Sequence, residues 1–284
     1  MSRANGAGRL LEHNATAHDQ VAEVYDHKHV EIYNPLEQAR LARTVAELVA
    51  LAGKPRPDAL DMGAGTGNLC MKFVAAGCNA SAADVSARSL DLLARKAPAG
   101  TTIQTRIIDS PRLPFEDASF DIVGTYSVLH HVPDYLFAVR EMARVLRPGG
   151  WLYIDHEASP AAWTHDPALT EYRMATRLTP AAHAAALLRT GEAFTYAFAK
   201  TVFMKLFVDR RYEREGDIHV WPDDHVEWDR IAAVLGECGV EIVQAHDYLL
   251  YRPRGGEELH QRYRDRCSDT RYVFARKAAQ TKES

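Results

Sequence analysis

Cysteine is scarce in this 284-residue chain: there are four, Cys70, Cys78, Cys238 and Cys267. No two stand as a CxxC pair, which argues against a zinc knuckle, and the triple-cysteine spacing of an iron–sulfur site is missing. Scattered thiols in a chain of this length suit a reducing cytoplasm rather than a disulfide-built fold. Positive charge is also short. The formal net charge is -4, which argues against a protein that grips nucleic acid through a basic surface. The stretch from Arg252 to Lys277 is locally arginine-rich, with Arg262, Arg264, Arg266 and Arg271; it reads as a solvated face. No run approaches the ~18 apolar residues of a membrane helix. The polar start, Met1 to Gln20, lacks the apolar core of a signal peptide. Neither an internal repeat nor a low-complexity tract is found. What is present is ordinary: 46% hydrophobic and 25% charged residues, enough to bury a core of normal size.

The apolar rhythm divides the chain. Residues 1 to about 16 read as a loose arm. From Asp19 to Leu51 apolar residues recur at helical spacing, with a break at Asn34-Pro35, where Asn34 suits an N-cap and Pro35 the first helical position. After Pro57 strands and helices alternate. Strands are predicted at Ala59–Asp61, Ala80–Asp84, Thr102–Ile108, Phe120–Tyr126 and Trp151–Asp155, with a sharp turn at Arg147-Pro148-Gly149-Gly150. Residues 158–224 break the rhythm. They are rich in Ala and aromatics, with helical spacing in Ala181–Leu188 and Phe194–Phe207. A helix at His225–Glu237 and strands at Val240–Ala245 and Arg271–Ala275 complete the pattern. The prediction is an α/β protein: a Rossmann-like, seven-stranded, mostly parallel sheet with helices on both faces. The expected parts are an N-terminal arm with cap helices (1–56), the core (57–157), a helical insertion over the carboxyl edge of the sheet (158–224), and a completion of the sheet (225–284).

The first strand ends in an acid and turns through three glycines into a helix: Asp61-Met62-Gly63-Ala64-Gly65-Thr66-Gly67-Asn68. Glycine lets the backbone approach a ligand and adopt positive φ. The spacing departs from the dinucleotide pattern G-x-G-x-x-G, because Asn68 stands where the third glycine of that pattern would be. Asp61 would repel a pyrophosphate but suits a cationic amino group. S-adenosylmethionine (SAM) carries an ammonium and no phosphate, so the residues favour SAM over a nicotinamide dinucleotide. Asp84, beside Val85 at the end of strand two, can accept hydrogen bonds from both ribose hydroxyls; nicotinamide enzymes use the same device. Asp109, beside Ser110 after strand three, can accept from an adenine amino group. A lone aspartate at a strand end is usually a turn former or cap. Three behind one loop point to a ligand.

These residues carry a resemblance to the class I SAM-dependent methyltransferases, especially the group typified by ubiquinone- and menaquinone-biosynthesis enzymes. It covers about Asp58 to His156. Its motifs are Leu-Asp-Met-Gly-Ala-Gly-Thr-Gly-Asn at 60–68, Ala-Asp-Val-Ser at 83–86, Leu-Pro-Phe at 113–115, Ser-Phe-Asp-Ile-Val at 119–123, Val-Leu-His-His-Val at 128–132 and Arg-Val-Leu-Arg-Pro-Gly-Gly at 144–150. One departure is Asp109-Ser110-Pro111-Arg112, where the family often has Asp-Ala-Glu-x; Pro111 removes a backbone donor. The resemblance implies methyl transfer from SAM to an acceptor by in-line displacement, which depends on alignment and on a base if the nucleophile arrives protonated. It places His130 and His131 beside the reacting centre and folds the helix carrying Tyr25 over SAM, where an aromatic face favours a sulfonium. Tyr126 ends strand four and can line the same pocket.

The other polar clusters have plain readings as well. His130 and His131 can shape their loop. Asp155-His156-Glu157 is a candidate substrate contact or simple loop polarity. The loop from Asp217 to His225 either returns to the pocket or connects, with Asp224 capping the next helix. Arg40 or Arg43 can reach SAM's carboxylate or stand as solvated helix charges. His27 and His29, two apart, share a face only in a strand; with His130, His131 and His156 they are weighed as metal ligands, and no metal is expected. The favoured reading is a small-molecule acceptor with an oxygen or nitrogen nucleophile under a lid. No nucleic-acid partner and no membrane span are expected, and a homodimer is compatible with the sequence. The competitors are a methyltransferase acting on RNA or protein, a SAM-binding protein without methyl transfer, and a nicotinamide oxidoreductase. Gly124-Thr125-Tyr126-Ser127 stands where some macromolecule-modifying enzymes carry Asn/Asp-Pro-Pro-aromatic, and so counts against that subgroup.

Overall fold

A computed structural model describes residues 15–279, except 17, 20, 21, 24, 178, 180, 183, 184, 186, 187, 190–193, 209 and 212–216. After a short helix α1 (Tyr25–Lys28), Asn34 begins the long helix α2 (Pro35–Ala52) as its sequence predicts. Its side-chain oxygen accepts from the Glu37 amide at 3.0 Å, with Pro35 at the first position. Such a cap is worth about 1 kcal/mol. Leu41, Val45 and Leu48 form its fully buried stripe.

The sheet has strands β1 (Asp58–Met62), β2 (Asn79–Asp84), β3 (Gln104–Ile107), β4 (Phe120–Tyr126), β5 (Leu146–Ala158), β8 (Val240–Tyr248) and β9 (Thr270–Lys277), while β6 (Val220–Trp221) and β7 (Asp224–His225) form a separate small ribbon. The order is β3-β2-β1-β4-β5-β9-β8. The first five run parallel, and β9 runs antiparallel to both β5 and β8. Side chains alternate between two cores. Leu60, Val123, Leu152 and Ile154 face helices α5 (Tyr135–Val145) and α8 (Trp228–Glu237). Ala59, Ile122, Trp151 and Tyr153 face α2, α3 (Asn68–Ala75) and α4 (Ala87–Lys96). Period-two alternation with both faces covered explains the continuous apolar strands.

The structure corrects several expectations. The strand β5 starts earlier than predicted, at Leu146, but Arg147–Gly150 loop out of the pairing as a turn: Phe120 pairs with Leu146 and Ile122 with Trp151, with Gly149 at φ +79° between them. Gly150 is needed there because a Cβ would lie 2.8 Å from the Asp121 carbonyl. The next helix starts at Trp228, not His225, and Asp224 does not cap it. Half of the Ala181–Leu188 expectation lies outside the described residues, and the described ones, Ala181, Ala182, Ala185 and Leu188, are helical. Helix α6 (Pro167–Thr176) of the insertion packs against α9 (Gly256–Tyr263), a helix the sequence reading missed, through Leu169, Tyr172, Leu249, Tyr263 and Cys267. Helix α7 (Tyr196–Phe203) begins two residues inside the predicted span Phe194–Phe207 and runs on as a π-helical turn over Met204–Val208. The tail arginines are interleaved with acids: Arg252 pairs with Asp269 at 2.7 Å and Arg271 with Asp247 at 2.5 Å. Among the described residues no helix is long and apolar enough to cross a membrane.

Candidate active site

The strand order reverses between β1 and β4, and ligands in open α/β sheets sit at the carboxyl ends of strands at such a point. A cavity of about 1160 Å³, counted out to its open mouth, lies there. Its floor is the loop after β1. Gly63 and Ala64 donate to the Ala83 carbonyl at 2.8 and 3.0 Å, extending the sheet pairing into the loop. Gly63 has φ +72°, and a Cβ would stand 2.5 Å from Val128. At Gly65, φ +49°, a Cβ would meet nothing within 4 Å; its hydrogen faces open space. The predicted residues Tyr25, Gly63, Ala64, Gly65, Asn68, Asp84, Val85, Ser110, Tyr126 and His131 all line the cavity.

Asp61 lies beneath the loop, 1% exposed. One carboxylate oxygen accepts from the Cys70 amide at 2.8 Å. The other is buried without a hydrogen-bond partner among the described residues. Burial pushes this carboxyl up to about 8, helped by the nearby charge of Asp84 and opposed by the Cys70 bond. Asn68, on the wall, accepts from Gln38 at 2.8 Å through its oxygen, while its amide nitrogen is buried without a partner among the described residues. An unpaired acid and an unpaired amide donor lie one helical turn of chain apart or less from the same loop. That pair is complementary to a zwitterionic amino-acid group. Asp84 is clamped by the Gly65 and Ser86 amides, both at 2.8 Å, one on each oxygen. Burial raises it despite those bonds.

The histidines converge at the end of β4. A 3₁₀ turn, Leu129–His131, brings the His130 and His131 rings to 4.1 Å between centroids. Glu157, 1% exposed, holds this turn: one oxygen accepts from the Val128 and Leu129 amides at 2.9 and 2.8 Å, the other meets His130 Nδ1 at 2.8 Å. Asp217 approaches from the insertion, 3.0 Å from His131 Nδ1 and 3.9 Å from His130 Nε2. Burial lowers the His130 pKa, but the charges of Glu157 and Asp217 and the Glu157 bond raise it on balance. His18 packs edge-on to His131 at 5.3 Å and also lines the cavity. Burial lowers its pKa against the pull of Asp84 and Asp217.

Behind Tyr126 lies a buried polar network. Arg40 is neither solvated nor on the cavity wall. It binds Glu37 through Nε at 3.0 Å and Asp155 through Nη2 at 2.7 Å, and stacks 4.3 Å over the Tyr248 ring. Tyr153 and Tyr248 both donate to Asp155. The Tyr126 hydroxyl reaches Glu37 and His156 Nδ1, both at 2.9 Å. His156, expected among the catalytic residues, therefore stands behind Tyr126 rather than in the cavity. Asp155 is fully buried in the same network. Gly67 shapes the loop without lining the cavity. Asp109 is exposed and off the wall, which Ile108, Ser110 and Pro111 form instead. His29 turns to Glu31 at 2.9 Å, and the His27 side chain lies outside the described ones. His18, Tyr33 and Thr66 were missed. The resemblance folded the Tyr25 helix over the site, and the helical pattern from Asp19 onward agrees with that, but neither singled out His18 or Tyr33.

A family model described as a methyltransferase domain matches residues 60–154. A demethylmenaquinone methyltransferase of Beutenbergia cavernae is 31% identical over 194 residues, 68% of this chain and 70% of that one. The chain belongs to the class I SAM-dependent methyltransferases. A 27-O-demethylrifamycin SV methyltransferase of Amycolatopsis mediterranei is 34% identical to this methyltransferase over 123 residues, 41% of this chain and 44% of that one. The solved magnesium protoporphyrin IX methyltransferase of Synechocystis, with bound S-adenosylhomocysteine (SAH), shares its fold: TM-score 0.51 at 16% identity, over 86% of this chain and 88% of that one. The unpaired Asp61 oxygen, the unpaired Asn68 amide and the glycine cradle fit SAM in this methyltransferase. They do not fit a dinucleotide pyrophosphate.

Proposed function

We propose that this methyltransferase modifies an oxygen or nitrogen of a small-molecule acceptor held between the cofactor and His131. The observation that carries this reading is the cavity itself. It runs from the Gly63–Gly67 loop to His131 as one space, and its wall includes His18, Tyr25 and Tyr33 from the N-terminal segment. That segment is tied across the site: Asp19 to Ser86 at 2.5 Å, and Asp26 to Thr66 at 2.6 Å and to Lys96 at 2.5 Å. An acceptor must be small enough to enter a space bounded in this way. The substrates named for the two sequence relatives, a demethylmenaquinone and a demethylrifamycin, support a small organic acceptor.

When bound, SAM supplies a methyl group activated on a sulfonium. The chain's part is to bind, orient and exclude water. Asp61 is assigned to the ammonium, Asn68 to the carboxylate and Asp84 to the ribose hydroxyls. Gly63, Ala64, Gly65 and Gly67 form the backbone cradle. Val85 and Ser110 flank the adenine side, and Asp109 is left out of that role. Tyr25 and Tyr126 present rings near the sulfonium. Tyr126 is fixed by Glu37 and His156, so His156 acts as a positioning residue. His130 and His131 are the imidazoles placed to hold the acceptor and manage its proton.

The test has two arms. Calorimetry should show SAM and SAH binding, no NADH binding, and loss of the first two in Asp84→Ala. SAH release would then be screened against hydroxylated and aminated metabolites, with mass spectrometry locating the added methyl. Methylation only of RNA or protein would sink the small-molecule reading and leave the cofactor site standing.

A further inference from the structure

We propose that His130, His131 and Asp217 form a binding site for a divalent transition-metal ion at the acceptor end of the cavity. The site's use by the acceptor rests on the reading above; the site itself does not.

Adjacent residues on a 3₁₀ turn normally point apart by about 120°. Here both imidazoles converge because Glu157 pulls His130 into place while strapping the backbone of the same turn. The third group comes from far along the chain and is stapled to the same spot. The Ile218 and His219 amides both donate to the His130 carbonyl at 3.0 Å, and His219 Nε2 lies 3.2 Å from the Val132 carbonyl. The result is one carboxylate oxygen and two imidazole nitrogens all within 4.8 Å of one another. Bonds of about 2.0–2.2 Å put neighbouring ligand atoms about 3–3.5 Å apart. The 3.0 Å separation of His131 Nδ1 from Asp217 matches, and the 3.9 Å from His130 Nε2 needs only a small contraction.

Glu157 is the independent observation. Ligating histidines commonly give their second nitrogen to a carboxylate, which fixes the tautomer and aims the other lone pair. Glu157 does this at His130 Nδ1, leaving Nε2 toward Asp217. Two imidazoles with one carboxylate suit zinc, cobalt, nickel, iron or manganese better than magnesium or calcium, which favour all-oxygen sets. Three protein ligands leave positions open, and His131 stands on the cavity wall. The ligand class is an acceptor with an ionisable hydroxyl, whose anionic form a nearby cation favours.

Chelator-stripped full-length protein, titrated with cobalt(II), tests this without cofactor or acceptor. We expect visible d–d absorption saturating at about one equivalent, displacement by zinc, and none by magnesium. Asp217→Asn and His130→Gln should weaken cobalt binding by roughly 100-fold, and Glu157→Gln by about 10–100-fold, with circular dichroism and SAM binding retained. Absence of a band, or a band unchanged in Asp217→Asn, overturns the site. Cobalt uptake in a protein that methylates no small molecule supports the metal site and removes the acceptor reading. Small-molecule methylation untouched by chelator in a protein that takes up no cobalt does the reverse.

Discussion

Asp61 is buried with one oxygen unpaired among the described residues, and its carboxyl is pushed up to about 8. A carboxyl raised in the folded state contributes stability fully at low pH, and that contribution is lost as pH climbs toward the folded value. A ligand ammonium draws the same carboxyl into its ionised form. SAM binding near pH ~6.5 should therefore release up to about one proton, visible by calorimetry in buffers of different ionisation enthalpy. Asp61→Asn should abolish the release, weaken SAM roughly 10–100-fold, and raise the ligand-free Tm near pH ~8. A wild-type affinity flat across this range would rule out the ammonium assignment. The glycines give a second contrast. Gly63→Ala drives a Cβ to 2.5 Å from Val128 and should lower Tm sharply. Gly65→Ala meets no neighbour and should cost only about 1–2 kcal/mol of left-handed strain, yet lose SAH binding because its methyl occupies the cradle. A melt with and without SAH separates the two. The placement of Asp61, Asn68 and Asp84 around one loop was legible because it depends on a local turn with fixed spacing. The return of the Asp217 loop was one of two open readings and His18 was not foreseen, because tertiary folding alone brings them to His131.

Helix α2 was readable from Asn34-Pro35 and its leucine stripe, but its polar face was misjudged. Glu37 falls on the stripe of Leu41, Thr44 and Leu48 and is as buried as they are. That periodicity was the available signal that Arg40 would be needed inside. Burial alone would raise Glu37; the Arg40 bonds and charge, with His156 nearby at 3.8 Å, hold it down to about 2. A depressed carboxyl stabilises the fold above its ordinary range and loses that contribution as pH falls through about 4.5 toward 2. The groups facing it are Arg40, His156 and Tyr126. Glu37→Gln should therefore flatten the fall of the urea midpoint between roughly pH 4.5 and 2. Arg40→Met should be far worse, about 3–5 kcal/mol, because it strands Glu37 and Asp155 as buried anions. Equal effects from the two variants would mean that the network does not carry this charge balance. The turn at Arg147–Gly150 was legible, because a Pro-Gly-Gly run signals one locally; that β5 already begins before it, at Leu146, shows only in the pairing with Phe120.

At the scale of the whole molecule, the insertion does two separate jobs. Its end delivers Asp217 to His131 and His130, whereas α6 builds a small second core with α9 and the end of β8. No periodicity could assign these partners, since α6 and α9 lie about eighty residues apart and each has a weak apolar face. Tyr172 is the link. Its hydroxyl donates to the Leu250 carbonyl and accepts from the Arg252 amide, both at 3.1 Å, while its ring is fully buried. Tyr172→Phe keeps the ring and leaves a carbonyl and an amide unpaired, at a cost of about 1–3 kcal/mol. Because this core touches neither β1 nor the glycine loop, the loss should be local. Amide exchange should accelerate across Pro167–Thr176 and Gly256–Tyr263, while protection of β1 and β4 and the affinity for SAM stay unchanged. If SAM affinity falls with it, the second core is coupled to the cofactor site through β9 and β5, whose pairing spans the sheet between them. Independent behaviour would instead mean that α6 and α9 can vary in sequence while the cofactor site is kept.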